Sequence, residues 1–202
     1  MEGTAVAAVD QAFEHPAQVV RDPVRVLVAD AGQQRGGRIV PLLLFGRADM
    51  PQRIGTFAAP AARIRNEDTM LAVAPVYHIA GMICGVTLLA FTGATIVLLN
   101  RLDALAALQS IERFRVTWWY AMAPMLVAAM NEPDADRFDL SSLHTTMGTS
   151  FGIKLTEELA RKWSAFADGC LVYEAGYGLS ETHTNDVLMP RDAVRWGTNG
   201  VP

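Results

Sequence analysis

Two cysteines, Cys84 and Cys170, are all that 202 residues contain. They lie far apart in apolar segments, so neither a disulfide framework nor a metal site has supporting spacing. Both read as buried thiols of a protein kept in a reducing compartment. Charge is scarce as well: Asp, Glu, Lys and Arg make up 19% of the chain, and the net charge is −4. No basic run and no interleaving of basic with aromatic residues occurs, which leaves a nucleic-acid partner without an electrostatic footprint. The sequence also lacks internal repeats, low-complexity tracts and any cluster of His, Cys and carboxylates. Met1 to Asp10 carries acids and has no charged region leading into an apolar core. It does not read as a signal peptide, and a cytoplasmic location is expected.

The shortage of charge is most marked from Thr69 to Asn100, where no Asp, Glu, Lys or Arg occurs. A hydropathy window flags such a run as a membrane span. Pro75, His78, Gly81, Gly85 and Gly93 interrupt it, however, and its pieces change character. Leu71 to Ala74 and Ala94 to Leu99 read as buried strands, and Met82 to Phe91 as a helix. A βαβ unit of a parallel sheet has this pattern because its strands are covered on both faces. No transmembrane segment is expected.

The length suits about one domain, and 51% of the residues are hydrophobic, a globular balance. Residues 1–63 are irregular, with strand candidates at Val24 to Ala29 and Ile39 to Phe45. From residue 67 strands and helices alternate. Strands are expected over 70–75, 94–99, 116–121, 143–147 and 170–174. Helices are expected over 82–91, over 103–114 with Asp103 as N-cap, near Pro124, and over 157–167 opened by Thr156. This alternation predicts an α/β fold: a mostly parallel sheet with flanking helices. Ligands of such sheets sit at the carboxyl ends of the strands. His78, Gly148 to Ser150 and Tyr177 to Glu181 each follow a strand, so they converge on one edge. Trp118, Trp119 and Tyr120 read as packing, His144 and His183 as surface or supporting groups.

Tyr173-Glu174-Ala175-Gly176-Tyr177-Gly178-Leu179-Ser180-Glu181-Thr182 is the most informative stretch. A short apolar strand runs into a Gly-Tyr-Gly turn and then into three oxygen-bearing side chains. Glycines flanking Tyr177 permit backbone angles and approaches that a side chain blocks. Hydroxyls and turn N–H groups suit phosphate oxygens, a carboxylate suits Mg²⁺, and the ring of Tyr177 can stack on a base. The competing reading is a Gly-rich turn before a helix, with Ser180 as cap and Glu181 as its first-turn acid.

Tyr177-Gly178-Leu179-Ser180-Glu181-Thr182 resembles the Tyr-Gly-x-Thr-Glu motif of the adenylate-forming (AMP-binding) superfamily, which includes acyl-CoA synthetases. Pro75-Val76-Tyr77-His78, the stretch Val116 to Met125, Asp139 to Leu143, Gly148-Thr149-Ser150 and Trp196 to Pro202 resemble further family segments in the same order. The likeness covers roughly residues 64–202 and is nearest to bacterial fatty-acid–CoA ligases. It implies part of the large N-terminal domain of an adenylate-forming enzyme, with residues 1–63 as an irregular region holding a degenerate phosphate-loop segment. The implied activity is ATP-dependent conversion of a carboxylic acid, by choice a fatty acid, to acyl-adenylate and then acyl-CoA. ATP/AMP, Mg²⁺ and CoA are the implied cofactors and co-substrates. Residue by residue, Ser180 takes the phosphate-contacting place, Glu181 the Mg²⁺-ligand place, and Tyr177, between Gly176 and Gly178 and ahead of Thr182, the adenine-packing place. Gly148, Thr149 and Ser150 form the adenine-side wall, and His78 stands at the acyl pocket.

The chain also departs from the pattern. Where the family's phosphate loop is expected, Phe45-Gly46-Arg47-Ala48-Asp49-Met50-Pro51-Gln52-Arg53 keeps Gly46 and Pro51 but not the hydroxyls, and Gln52 replaces the loop lysine. The resemblance places a ribose-binding Asp and a lysine-bearing domain after Pro202. The chain is therefore expected to be inactive alone, as a ligase fragment. The alternative is a non-catalytic module that binds acyl groups or nucleotides, or a subunit whose site a complementing chain completes.

Overall fold

A computed structural model of the protein describes residues 24–29, 38–42, 62–182 and 184–201. The apolar runs form strands β1 (Val24–Ala29), β2 (Arg38–Leu42), β3 (Thr69–Ala72), β4 (Thr95–Leu99), β5 (Trp118–Met122), β6 (Thr145–Thr149) and β7 (Leu171–Glu174). They assemble into one sheet in the order β2-β1-β4-β3-β5-β6-β7. Only the β1–β2 pair is antiparallel; every other neighbouring pair is parallel. The α/β expectation is met. Such strands are hydrophobic along their whole length because both faces must be covered.

Period-two alternation divides the strands between two cores. Leu71, Val97, Trp119 and Ala121 face one way, and Met70, Ile96, Trp118 and Tyr120 the other. The first face is covered by α2 (Ala104–Phe114), α3 (Ala123–Met130) and α4 (Glu157–Phe166), through Leu108 and Ile111, Leu126 and Ala129, and Trp163. The second is covered by α1, which runs through Ile79–Met82, a π-helical segment Ile83–Thr87 and Leu88–Thr92, and buries Ile83, Leu88 and Leu89. Cys170 lies in the first core and Cys84 in the second. Burial pushes the Cys170 thiol up to about 11, against weaker lowering by hydrogen bonds from Thr146 and Trp163.

Local chemistry sets the helix starts. Asp103 accepts a hydrogen bond from the Ala106 amide at 2.9 Å, and Thr156 accepts one from the Leu159 amide at 3.2 Å. Pro124 sits in the first turn of α3, where its missing N–H costs nothing. α1 begins at Ile79, ahead of the expected 82, because His78 caps it: Nδ1 accepts from the Ala80 amide at 3.2 Å. β5 begins two residues later than expected. Thr117 is spent on a side-chain link, accepting from the Thr69 amide at 3.0 Å and donating to Asp68 Oδ1 at 2.8 Å. His144 supports the same corner, with Nε2 3.4 Å from Asp68 Oδ1.

The uncharged run 69–100 is thus β3, α1 and β4, and no helix among the described residues is long and apolar enough to cross a membrane. The segment Phe45 to Arg53 lies outside the described residues, as do Leu43 to Phe45 of the second strand candidate and His183.

Trp163 binds the two layers. Its ring meets Trp119 edge-on at 5.4 Å, and its Nε1 donates to Thr146 Oγ1 at 2.9 Å. Trp163→Ala is expected to cost about 3–5 kcal/mol of stability, read from urea unfolding midpoints. From the raised thiol, Cys170 is expected to resist iodoacetamide at pH 8 in the folded protein and to react once unfolded, as checked by peptide mass mapping.

Candidate functional site

Because the central strands are parallel, β3, β5, β6 and β7 all end on the same edge of the sheet. There they open on a cavity of about 550 Å³. This volume lies in the range of small-molecule sites. One flank is α1 and the turn before it, with His78, Ile79 and Ile83; the floor includes Tyr120. The other flank is Thr149 and Ser150 at the end of β6, and the chain from Glu174, which ends β7, to Gly178. The π-helical widening of α1 lies on this cavity, since Ile83 and Cys84 line it. Such widenings recur at functional sites.

Three motifs far apart in sequence therefore meet. His78, Thr149, Ser150, Gly176, Tyr177 and Gly178 all line the cavity. With His78 Nδ1 accepting from the helix, the neutral ring carries its proton on Nε2. Tyr177 is half exposed at the rim. Gly148 stands behind the wall rather than in it: a Cβ there would fall 2.3 Å from Leu155 Cδ2.

Ser180, Glu181 and Thr182 are placed differently. The polar helix start is not formed. Gly176–Leu179 is a strand, β8, paired antiparallel with β9 (Thr184–Leu188), and the three residues make the turn between them. All three are exposed, and none lines the cavity. Thr182 Oγ1 donates within the hairpin, to the Leu179 carbonyl at 3.1 Å and to Asp186 Oδ2 at 2.9 Å. Among the described residues, no group of three or more His, Cys, Asp or Glu could hold a metal ion.

One cavity residue carries no role in the sequence reading: Glu174, the last residue of β7, with 7% of its surface exposed. Its Oε1 accepts from the Ser150 amide at 2.8 Å and from Thr149 Oγ1 at 3.2 Å, and its Oε2 accepts from Ser150 Oγ at 2.6 Å. An acid at the end of an apolar strand, with one alanine between it and Gly176-Tyr177-Gly178, is the signal that points to it. Beside it, burial is the main cause that pushes the Tyr120 phenol above its ordinary range, with Cys84 and Glu174 adding to the effect. The hydroxyl is therefore a donor at neutral pH.

The family model for AMP-binding enzymes matches residues 49–202. The chain belongs to that family. Among curated relatives, a 4-coumarate–CoA ligase-like protein 5 of Oryza sativa subsp. japonica is 39% identical over 130 residues, which is 62% of this chain and 23% of the relative. The 4-coumarate–CoA ligase 2 of Nicotiana tabacum is 30% identical over 128 residues, 60% of this chain and 22% of that one. This AMP-binding chain thus spans less than a quarter of the length of these relatives. Among solved structures, an anthranilate CoA ligase in complex with anthranoyl-AMP superposes with a TM-score of 0.67 at 23% identity, over 75% of this chain and 29% of that one. At that identity the likeness establishes the shared fold, that of the N-terminal region of adenylate-forming enzymes.

The hairpin depends on Gly176, whose φ is +148° and where a Cβ would fall 2.0 Å from the Val187 carbonyl oxygen. Gly176→Ala is expected to destabilise the protein by about 1–3 kcal/mol, read from denaturant midpoints.

Proposed function

We propose that the protein takes part in ATP-dependent activation of a carboxylic acid, with the cavity holding the acyl-adenylate. The observation that carries this reading is the convergence of His78, Thr149, Ser150 and Tyr177 on one cavity of about 550 Å³ in a chain of the AMP-binding family. In the first step a carboxylate oxygen attacks the α-phosphorus of ATP, and the bond to pyrophosphate breaks. In the second the thiol sulfur of CoA attacks the acyl carbonyl, its proton is lost, and AMP leaves.

Within that scheme Tyr177 packs on the adenine from the rim, and Thr149 and Ser150, backed by Gly148, form the opposite wall. Gly176 lets β9 close in behind Tyr177, and Gly178 keeps the backbone beside that ring open to the ligand. The His78 Nε2–H donates toward the acyl carboxyl group. Ser180 and Thr182, exposed on the hairpin turn, are the hydroxyls this reading assigns to the phosphates. Glu181 suits Mg²⁺, since that ion is commonly bound by one or two carboxylates with water and substrate phosphates completing its shell. Bound there, the ion would supply charge neutralisation at the leaving pyrophosphate. The acyl side of the cavity is apolar, lined by Ala74, Ile79, Ala80 and Ile83 among others. This lining supports a fatty acid as substrate. The reading also takes the protein as cytoplasmic, with residues 64–202 as a partial AMP-binding domain and 1–63 as an irregular N-terminal region whose strands β1 and β2 join the same sheet.

A second reading, a binding module without ligase activity or one completed by a partner chain, is favoured by one observation. Arg47, Ala48, Asp49 and Gln52 stand where hydroxyls and a lysine would hold the outer phosphates.

The test is thermal unfolding with a non-hydrolysable acyl-sulfamoyl adenosine and Mg²⁺. At about 100-fold excess over the dissociation constant, ligand adds about 2.7 kcal/mol, which raises Tm by roughly 5–10 °C for a chain of this size. Glu181→Ala is expected to remove the Mg²⁺-dependent part of the rise. No shift at any concentration removes the reading. Acyl-CoA formation by the chain alone from ATP, acid and CoA overturns the second.

A further inference from the structure

Glu174 is a buried carboxylate with an unusual set of partners. The Ser150 amide, the Ser150 hydroxyl and the Thr149 hydroxyl all donate to it, at 2.8, 2.6 and 3.2 Å. Among the described residues no Lys, Arg or His makes an ion pair with it. Burying a carboxylate without a cation is costly unless hydrogen bonds replace its water, and three donors at two oxygens do that here. The chain of contacts continues outward. Ser150 Oγ also accepts from the Leu155 amide at 2.9 Å, and Leu155 packs over Gly148. One carboxylate thus ties together the ends of β6 and β7 where they face the cavity.

We propose that Glu174 is a positioning residue: its carboxylate, set on β7, holds Thr149 and Ser150 in the shape that receives the ligand, and through Ser150 it fixes the loop to Leu155. This role deepens the adenylate reading of the cavity and rests on it. The reason for an acid at this place is that all three partners donate. An amide of the same shape presents an NH₂ group to one of them, so one bond must break or turn. A group serving stability alone has no need to sit on the cavity wall, whereas Glu174 lines the cavity together with both residues it holds.

Glu174→Gln separates the two roles, and its near-identical shape lets the variant fold; Glu174→Ala serves as the harsher companion. Two quantities are read on the full chain: amide hydrogen exchange by NMR, and affinity for the acyl-sulfamoyl adenosine by calorimetry. The expected result is that the Ser150 and Leu155 amides of Glu174→Gln exchange about tenfold faster, the scale of one lost hydrogen bond. Amides inside β5 and β6, such as those of Tyr120 and Met147, keep wild-type exchange, and affinity falls by about the same factor. Wild-type affinity in Glu174→Gln overturns the positioning role, as does faster exchange spread evenly over the sheet, which marks a purely stabilising one. A wild-type chain that fails to bind the compound overturns the adenylate reading itself, a different result from loss in the variant alone.

Discussion

β5 is buried on both faces, and the rest of the molecule follows from that. Trp118 and Trp119 point to opposite sides of the sheet and neither exposes any surface. Two adjacent indoles can be hidden only if both faces of the strand are covered, so helices must lie above and below. Covering both faces with helices suits parallel strands, because each crossover returns the chain to the same end of the sheet. Parallel strands in turn release their carboxyl ends on one edge, and that edge is where His78, Ser150, Glu174 and Tyr177 come together. The site is a product of the topology before it is a product of any one motif.

The architecture was legible in the sequence because its determinants are local. Asp103 and Thr156 announce their helices by capping, and Leu108 and Ile111 repeat at helical spacing on the buried side. Two of the shifted boundaries carry visible contacts: α1 starts early because His78 caps it locally, and at the start of β5 the Thr117 hydroxyl is linked to Asp68 and Thr69, 49 and 48 residues away. The β8–β9 hairpin was not legible. Its first strand is glycine-rich, and it carries no alternation of apolar and polar residues to mark it. Glu174 was hidden for a similar reason. Its partner Ser150 is 24 residues distant, and the pairing becomes visible only once β6 and β7 are set in register with Gly148 opposite Glu174.

The glycines show that a residue type can be right for a reason other than the one first assigned. Gly176 reads in the sequence as a place for backbone angles and approaches that a side chain blocks, beside a nucleotide loop; the approach in the structure is that of the Val187 carbonyl of β9. Gly148 likewise makes room for Leu155, whose amide in turn donates to the Ser150 hydroxyl oxygen. Such positions serve the ligand at one remove, by letting the wall close on itself.

The β8–β9 hairpin meets the large sheet at Ala175. The Ala175 amide donates to the Gly148 carbonyl at 2.6 Å, and its own carbonyl accepts from the Met189 amide at 3.3 Å. A second tie, between Leu188 and Val201, binds the hairpin to the last described residues rather than to that sheet. Ala175 is therefore clamped between the large sheet and the residue that follows β9. The placing of the Tyr177 ring at the cavity rim is set by two backbone hydrogen bonds, not by any side chain of the motif itself.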